Sequence, residues 1–600
     1  LAVIAEDTLT LCYSNWNADK TDVPTRISSI FYPRSNFSYD LLVLMKSYLL
    51  IASLIALLSE TSYAQCDCDY TINKGGIYYN TTLNVPPGKI ICIQAGHYDY
   101  LRFIGFVGAP NQPIRFINCG GQVTIGTDAY YSGLQFFGSR YFIVSGSGDR
   151  NYTYGIKLDQ SNINASGVSI TGLSSDCEVE RVEVATAGFA GFLIKTDPSC
   201  DPATWRESFT MYNVKLHDNY VHDTGSEGFY IGNSFYDAFK LTCNGTVRFV
   251  KPHLIYGLSV YNNIIERTGA EGLQYGCAPD ADVHHNQLYY TGFSPFADFQ
   301  NNGLQISSGS GGDCYSNIIR HTAGTGLAIL GHLGNGRIYN NVIYDSGMDG
   351  IFCDDRPGSL ADTYMAFLNN TIARTGRDGI RLYNQNNVNT VANNAITQMN
   401  TIPSLKGRAF VFEQGATASL LTNFTAFRSE SAQFVNDSTD FRPAAGSPLI
   451  GIGTTMTSWH LTTDLTGVAR DKNSGFDIGA YAYVADTTPP GAAPPAQARV
   501  GYLTDAETRA PAIADVGQMP PLLIYPSPAH DQITVSLARN LSIRSVRVYN
   551  SSGQKVICQS VTTNQATPLT LPVGQLPPGN YIVDVLSRSA QRLKGRFTKL

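Results

Sequence analysis

The chain has 600 residues, long for one ordinary globular domain but natural for a solenoid, which grows along its axis without a wider core. Charged residues make up 15%, glycines number 56 and the formal net charge is −6. This polar, turn-rich balance lacks the basic footprint that nucleic acid demands and argues against such a partner.

Residues 1–44 carry no sustained pattern. Met45-Lys46 then opens a short positive region, Tyr48 to Leu58 is apolar, and Ser62-Tyr63-Ala64 precedes Gln65. That order is the layout of a signal peptide over 45–64, cleaved after Ala64. The apolar run is short for a membrane span. Met45 is then the expected native start, with residues 1–44 as upstream sequence. Export permits disulfides. Eleven cysteines follow Ala64, ten of them from Cys66 to Cys353 and the last Cys558, so at least one has no partner in the chain. Cys66 and Cys68 are not expected to pair with each other, Cys243 is expected to reach Cys277, and Cys353 reads as a core side chain. The spacing of a structural zinc site is absent.

Residues 65–485 form the repetitive region. Loose apolar stretches come first, at Ile91–Tyr98, Pro113–Cys119, Gly133–Phe137, Gly155–Asp159 and Gly191–Lys195. From Asn219 a phrase recurs. It begins at Asn219, Asn263, Asn317, Asn341 and Asn370 and reaches Gly228, Gly272, Gly326, Gly350 and Gly379 nine residues later; from Asn286 to Gly303 it carries eight extra residues. After each Gly the inward positions are apolar: Phe229/Ile231, Leu273/Tyr275, Leu304/Ile306, Leu327/Ile329, Ile351/Cys353 and Ile380/Leu382. Between them Tyr230, Gln274, Gln305, Ala328, Phe352 and Arg381 face out. A repeat of 20–30 residues with period-2 strands means stacked β-rungs, an all-β parallel solenoid. Asn and Gly are expected to take left-handed corners, and stacked asparagines to hydrogen-bond along the column. Regular rungs are expected from Asn219 to about Asn394. Residues 400–483 lose the phrase and are expected to cap the stack, covering unpaired strand edges.

Residues 486–520 are Pro- and Ala-rich and read as a linker. Residues 521–600 alternate as half-buried strands, with turns at Ser551-Ser-Gly553 and Pro577-Pro-Gly579, and make a small β-sandwich.

The rung phrase resembles that of the right-handed parallel β-helix proteins which bacteria secrete to handle polysaccharides, the pectate-lyase-like superfamily, over roughly residues 70–485. The order YPSPA, VRVYNSSGQKV, LPPGNYIVDV, with Lys594 and Lys599 at a basic end, resembles the C-terminal sorting domain of the type IX secretion system. That resemblance implies handling by the type IX machinery and a cell-surface or secreted location; a carbohydrate-binding sandwich is the alternative.

The residue before each Gly forms its own column: Glu227, Glu271, Asn302, Thr325, Asp349 and Asp378. Carboxylates on neighbouring rungs lie about 5 Å apart and either share a proton or cation, or sit as ordinary acids in a solvated corner. Insertions at Asn233–Leu258, Phe293–Gln300 and Asp355–Asp362 surround the same rungs and make them the groove candidate. The catalytic candidates are Glu227, Glu271, Asp349, Asp354 and Arg381. The substrate-binding candidates are Tyr230, Gln274, Gln305, His332, Phe352 and Asp378. No cofactor is required by the sequence; calcium beside Asp354 and Asp355 is the one metal candidate.

Two chemistries suit such a groove on an extracellular polysaccharide. A lyase neutralises a uronate carboxylate and removes the C5 proton; a hydrolase uses two carboxylates. The Asp, Asp-Asp, Gly-His-Gly, Arg-x-Lys series of polygalacturonase-like hydrolases is absent, since Gly331-His332-Leu333-Gly334 precedes Asp354-Asp355. No complete lyase signature is present either. A non-catalytic glycan-binding or adhesin-like rod stays open as the alternative. A monomer is expected.

Overall fold

A computed structural model describes residues 66–128, 132–471 and 475–485, and in the C-terminal domain 522–525, 531–537, 543–550, 554–560, 569–587 and 592–599. The expected signal segment and the linker lie outside the described residues. Two parallel sheets run the length of a β-helix. One has twelve strands, from Gly76–Tyr79 to Phe410–Phe412; the other has twenty-three and contributes two strands to each regular turn. Equivalent strands pair in register from rung to rung, as Leu327 does with Ile351 and Ile351 with Ile380. The inward column Phe229, Leu273, Leu304, Leu327, Ile351, Ile380 is fully buried, and Cys353 packs beside it.

A ladder of asparagines holds the turns. The Nδ2 of Asn219, Asn263, Asn286, Asn317, Asn341, Asn370 and Asn394 each donates to Oδ1 of the next asparagine, at 2.9–3.1 Å, ending at Asn423. The same Oδ1 atoms accept the preceding asparagine's backbone N–H. Seven of the eight are completely buried, so each amide must find its partners inside the protein, and the stack supplies them.

Three expectations change on inspection. The left-handed corner falls on the residue before each ladder asparagine: Asp218, Asn262, His285, Ser316, Asn340, Asn369, Asn393 and Thr422, with φ of 46–55°, so asparagine takes it as expected at four of the eight. The glycine after the acid column is needed for space, not for φ. A Cβ on Gly350 would lie 2.4 Å from Ile372 Cγ2 and 2.7 Å from the Gly379 carbonyl oxygen. The rungs also continue past Asn394 through Ala418–Leu421 and Phe424–Ala426.

The segment beyond packs along a side of the stack. Phe434, Phe441, Leu449, Leu465 and Ile478 pack on Val342, Tyr344, Ala373 and Ala395, and Met456, Leu461 and Phe476 pack on Ala366, Leu368 and Ala392. It shields a side of the last rungs, where the sheet turns small apolar residues outward.

The disulfides are Cys66–Cys119, Cys68–Cys92 and Cys200–Cys243. Cys66 and Cys68 therefore avoid each other as expected, but the Cys243–Cys277 pairing is wrong. The antiparallel hairpin Phe239–Cys243/Thr246–Val250 returns Cys243 to the segment around Cys200, while Cys277 is buried with its thiol toward the Asn233 carbonyl. The C-terminal domain has antiparallel sheets of three and four strands that share a core of Ile533, Val535, Val546, Val548, Val583, Val585 and Phe597.

Replacing Asn317 by Ala strands donors on Asn286 and an acceptor on Asn341. We expect a loss of about 2–4 kcal/mol, read as a lower denaturation midpoint. Asn423→Ala, at the half-exposed end of the ladder, should cost about half as much or less. Equal losses would show that the ladder is not cooperative.

Candidate functional site

The outward face of the twelve-stranded sheet carries the candidates, and the insertions cover its middle. Gln274, Gln305 and Ala328 face out of the sheet yet are 2–6% exposed. The insertion after Ile231 lies across them. Ser234 Oγ accepts from Gln274 Nε2 at 2.8 Å, Gln274 Oε1 from Gln305 Nε2 at 2.8 Å, and Gln305 Oε1 from Asn302 Nδ2 at 2.9 Å. Tyr236, on the same insertion, packs so closely over Gly309 and Gly358 that a Cβ on either would fall 1.9 and 2.3 Å from its ring. The strap after Ile231 thus meets the loop Asp355–Asp362 across the sheet. Cys200–Cys243 ties the strap to a further insertion after Ile194, which also holds Trp205 and Arg206. That fourth insertion went unread in the sequence; the unmatched Cys200 and lone Trp205 were its signal.

The acid column stacks as expected, each Gly N–H bonding the carbonyl of the column residue one rung on, as Gly228 to Glu271 and Gly350 to Asp378, both at about the usual 3 Å. Solvation of the corner is overturned: Glu227, Glu271, Asp349 and Asp378 are at most 1% exposed. Their electrostatics divide in two. Asp349 receives Arg377 Nε and Nη2 at 2.8 and 2.7 Å, and Asp378 receives Arg381 Nε and Nη2 at 2.7 and 2.6 Å. Arg381 also reaches Glu413 at 3.1 Å, and Tyr383 donates to Glu413 at 2.6 Å. These acids are neutralised within the column.

Among the described residues Glu227 and Glu271 have no such ion pair, although nearby Lys195 favours the charged form of Glu227. Glu227 accepts from Ser226 Oγ at 2.7 Å, while the Glu271 oxygens have no close hydrogen bond and are only partly offset by the Glu271 backbone and Asn302. Burial, reinforced by Glu227 one rung away, pushes the Glu271 carboxyl up to about 8, and burial also raises that of Glu227. The pair carries a proton at neutral pH. Beside it, Lys195 Nζ sits 4.0 Å over the Tyr230 ring and 3.0 Å from Asp197. Lys195 was not among the sequence candidates; it sits where the sheet face enters the covered stretch.

The remaining candidates sit apart. Phe352 makes an edge contact with Tyr383 at 5.3 Å. His332 is buried with neither ring nitrogen bonded, and burial lowers it to about 4, so it is a neutral and weak base. Asp354 takes Arg356 Nε at 3.1 Å, while Asp355 turns to accept the Asn386 N–H at 3.0 Å.

Residues 256–440 match the family described as right handed beta helix region, and residues 523–596 match the secretion system C-terminal sorting domain. The C-terminal domain is thus a type IX sorting domain, and the protein is addressed to the cell surface or the extracellular space. Curated proteins give no match to the sequence. Similar solved structures include the pectate lyase Pel9A, at 14% identity over 70% of this chain and 99% of that one, with a TM-score of 0.39. A double mutant of the periplasmic alginate epimerase AlgG gives 12%, 59%, 85% and 0.36. The alginate lyase from Paenibacillus sp. str. FPU-7 gives 13%, 59%, 99% and 0.32.

The raised Glu271 carboxyl fixes the sign of a pH effect. Below its ordinary value of 4.5 both folded and unfolded chains hold the proton. As pH rises toward 8, the unfolded chain ionises and the folded one does not, so stability falls across that window and levels above it. Glu271→Gln should flatten this slope and raise stability at pH 8 by on the order of 3 kcal/mol, with no gain at pH 4. Parallel melting-temperature profiles for the two proteins would contradict the assignment.

Proposed function

We propose that the groove over the twelve-stranded sheet holds an extracellular polysaccharide and that the Glu227–Glu271 pair cleaves it. One observation carries the reading. In a column whose other acids are neutralised by arginines, this pair has no ion-paired cation among the described residues, and it borders an amide ladder suited to sugar hydroxyls. A carboxyl that keeps its proton at neutral pH is a ready general acid for a glycosidic oxygen. Acids on adjacent rungs stand about 5 Å apart, the separation at which the second acts as nucleophile in retaining glycosidases. Glu271 is the proton donor in this scheme and Glu227 its partner; Tyr230 stacks on a sugar ring and Lys195 attracts an acidic one. Substrate reaches Glu271 once the loop Phe293–Gln300 shifts. Ser294 now donates to the Gly269 carbonyl at 2.9 Å and Asn302 to the Phe299 carbonyl at 3.1 Å.

A second reading, glycan binding without cleavage, has its own support. Asp349, Asp378 and Arg381 are consumed in ion pairs, and Glu271 is wholly covered.

Uronic-acid and neutral polysaccharides, assayed with and without chelator for new reducing ends and for unsaturated uronate, separate these readings. Cleavage is expected to be insensitive to chelator. Glu271→Gln should lower kcat by about 10²–10⁴-fold with little change in KM. Tyr230→Ala should act mainly on KM. Binding without any cleavage by the unaltered protein would leave the second reading standing.

A further inference from the structure

Away from the groove, on the outward face of the broad sheet, Glu178 and Glu180 project from the strand Ser175–Glu180, and His217 stands on the next rung directly opposite Glu180. One oxygen of each glutamate and one ring nitrogen of His217 all lie within 4.8 Å of one another. We propose that these three side chains form a binding site for a divalent transition-metal ion.

The geometry around His217 fits a ligand. Its Nδ1 lies 2.7 Å from Asp218 Oδ2, and its ring stacks on Tyr261 at 4.6 Å and 5°. Burial works against the charged ring, but Asp218 and Glu178 outweigh it and raise His217 to about 9, so an ion enters by displacing the Nε2 proton and then takes that lone pair beside the glutamates. This carboxylate–histidine pairing is the arrangement that orients metal-bound histidines. Nε2 stands 3.4 Å from Glu178 Oε1. A charged N–H···O contact is usually about 2.7–2.9 Å, so this separation is long for one. Two donors of a tetrahedral ion, with bonds of about 2.0–2.2 Å, stand about 3.4 Å apart. Glu180 supplies the third donor while accepting from Ser145 Oγ at 2.6 Å, and an open fourth position is left for water.

A nearby cluster shows the contrast. His222 approaches Asp223 at 2.6 Å and Glu183 at 3.3 Å, but Glu183 already holds Lys157 at 2.6 Å and Asp223 holds Arg267 at 2.8 Å. Among the described residues no lysine or arginine forms an ion pair with Glu178 or Glu180. One imidazole with two carboxylates suits zinc and its neighbours better than calcium, whose ligands are oxygens. Bound there, the ion would tie two successive rungs of the broad sheet.

The test uses the full chain stripped with chelator, in a Cys558→Ser background to remove the one exposed free thiol among the described residues. Zn²⁺ is added, metal retained after gel filtration is counted, and affinity is measured by calorimetry. One equivalent is expected, together with a rise in melting temperature. His217→Gln and Glu180→Gln should each weaken binding at least tenfold while circular dichroism stays unchanged, and His222→Gln should leave it intact. The proposal is overturned if no zinc is retained, if His217→Gln retains it equally, or if His222→Gln abolishes it.

Discussion

The fold depends on the requirement that a buried primary amide satisfy all its hydrogen-bonding groups. In the ladder from Asn219 to Asn423 each side chain is donor to one rung and acceptor from another, so no rung can slip without stranding its neighbours. The glycine of the same phrase adds a steric limit, since a Cβ at Gly350 would collide with Ile372. Amide ladder and glycine together fix register, and register turns every outward position into a column.

Function follows from what each column holds. Where arginines flank the acid column, as Arg377 and Arg381 do beside Asp349 and Asp378, the ion pairs brace the rungs. Where two glutamates stack without an ion-paired cation, burial raises both carboxyls, and this is the pair to which we assign cleavage. Gln274 and Gln305 behave similarly on the sheet face. They satisfy each other under a strap, and a sugar that displaced the strap would find their amides already aligned.

The rung architecture was readable in the sequence because its period is strict: apolar pairs after each glycine, an asparagine nine residues before. Column membership was readable for the same reason. What single residues do in a column was not, since it depends on neighbours about thirty residues away. Nothing local distinguishes Asp349 from Glu271, yet one meets Arg377 and the other meets Glu227. Insertions were harder still, because they follow no period. The pairing of Cys243 depended on a hairpin whose return direction the sequence does not encode in spacing, and Lys195 on a loop that hid behind an irregular rung. His217 lies 37 and 39 positions after Glu180 and Glu178, one rung on, so no short metal-binding motif announces the three.

The covered face of the twelve-stranded sheet is the proposed seat of a glycan. Hydrogen–deuterium exchange of the full protein, with and without an oligosaccharide that it binds, tests this directly. Altered exchange is expected in the strap 233–258, the loop 293–300 and the loop 355–362, with the broad sheet unchanged. Changes confined to the broad sheet, or to the C-terminal domain, would contradict it.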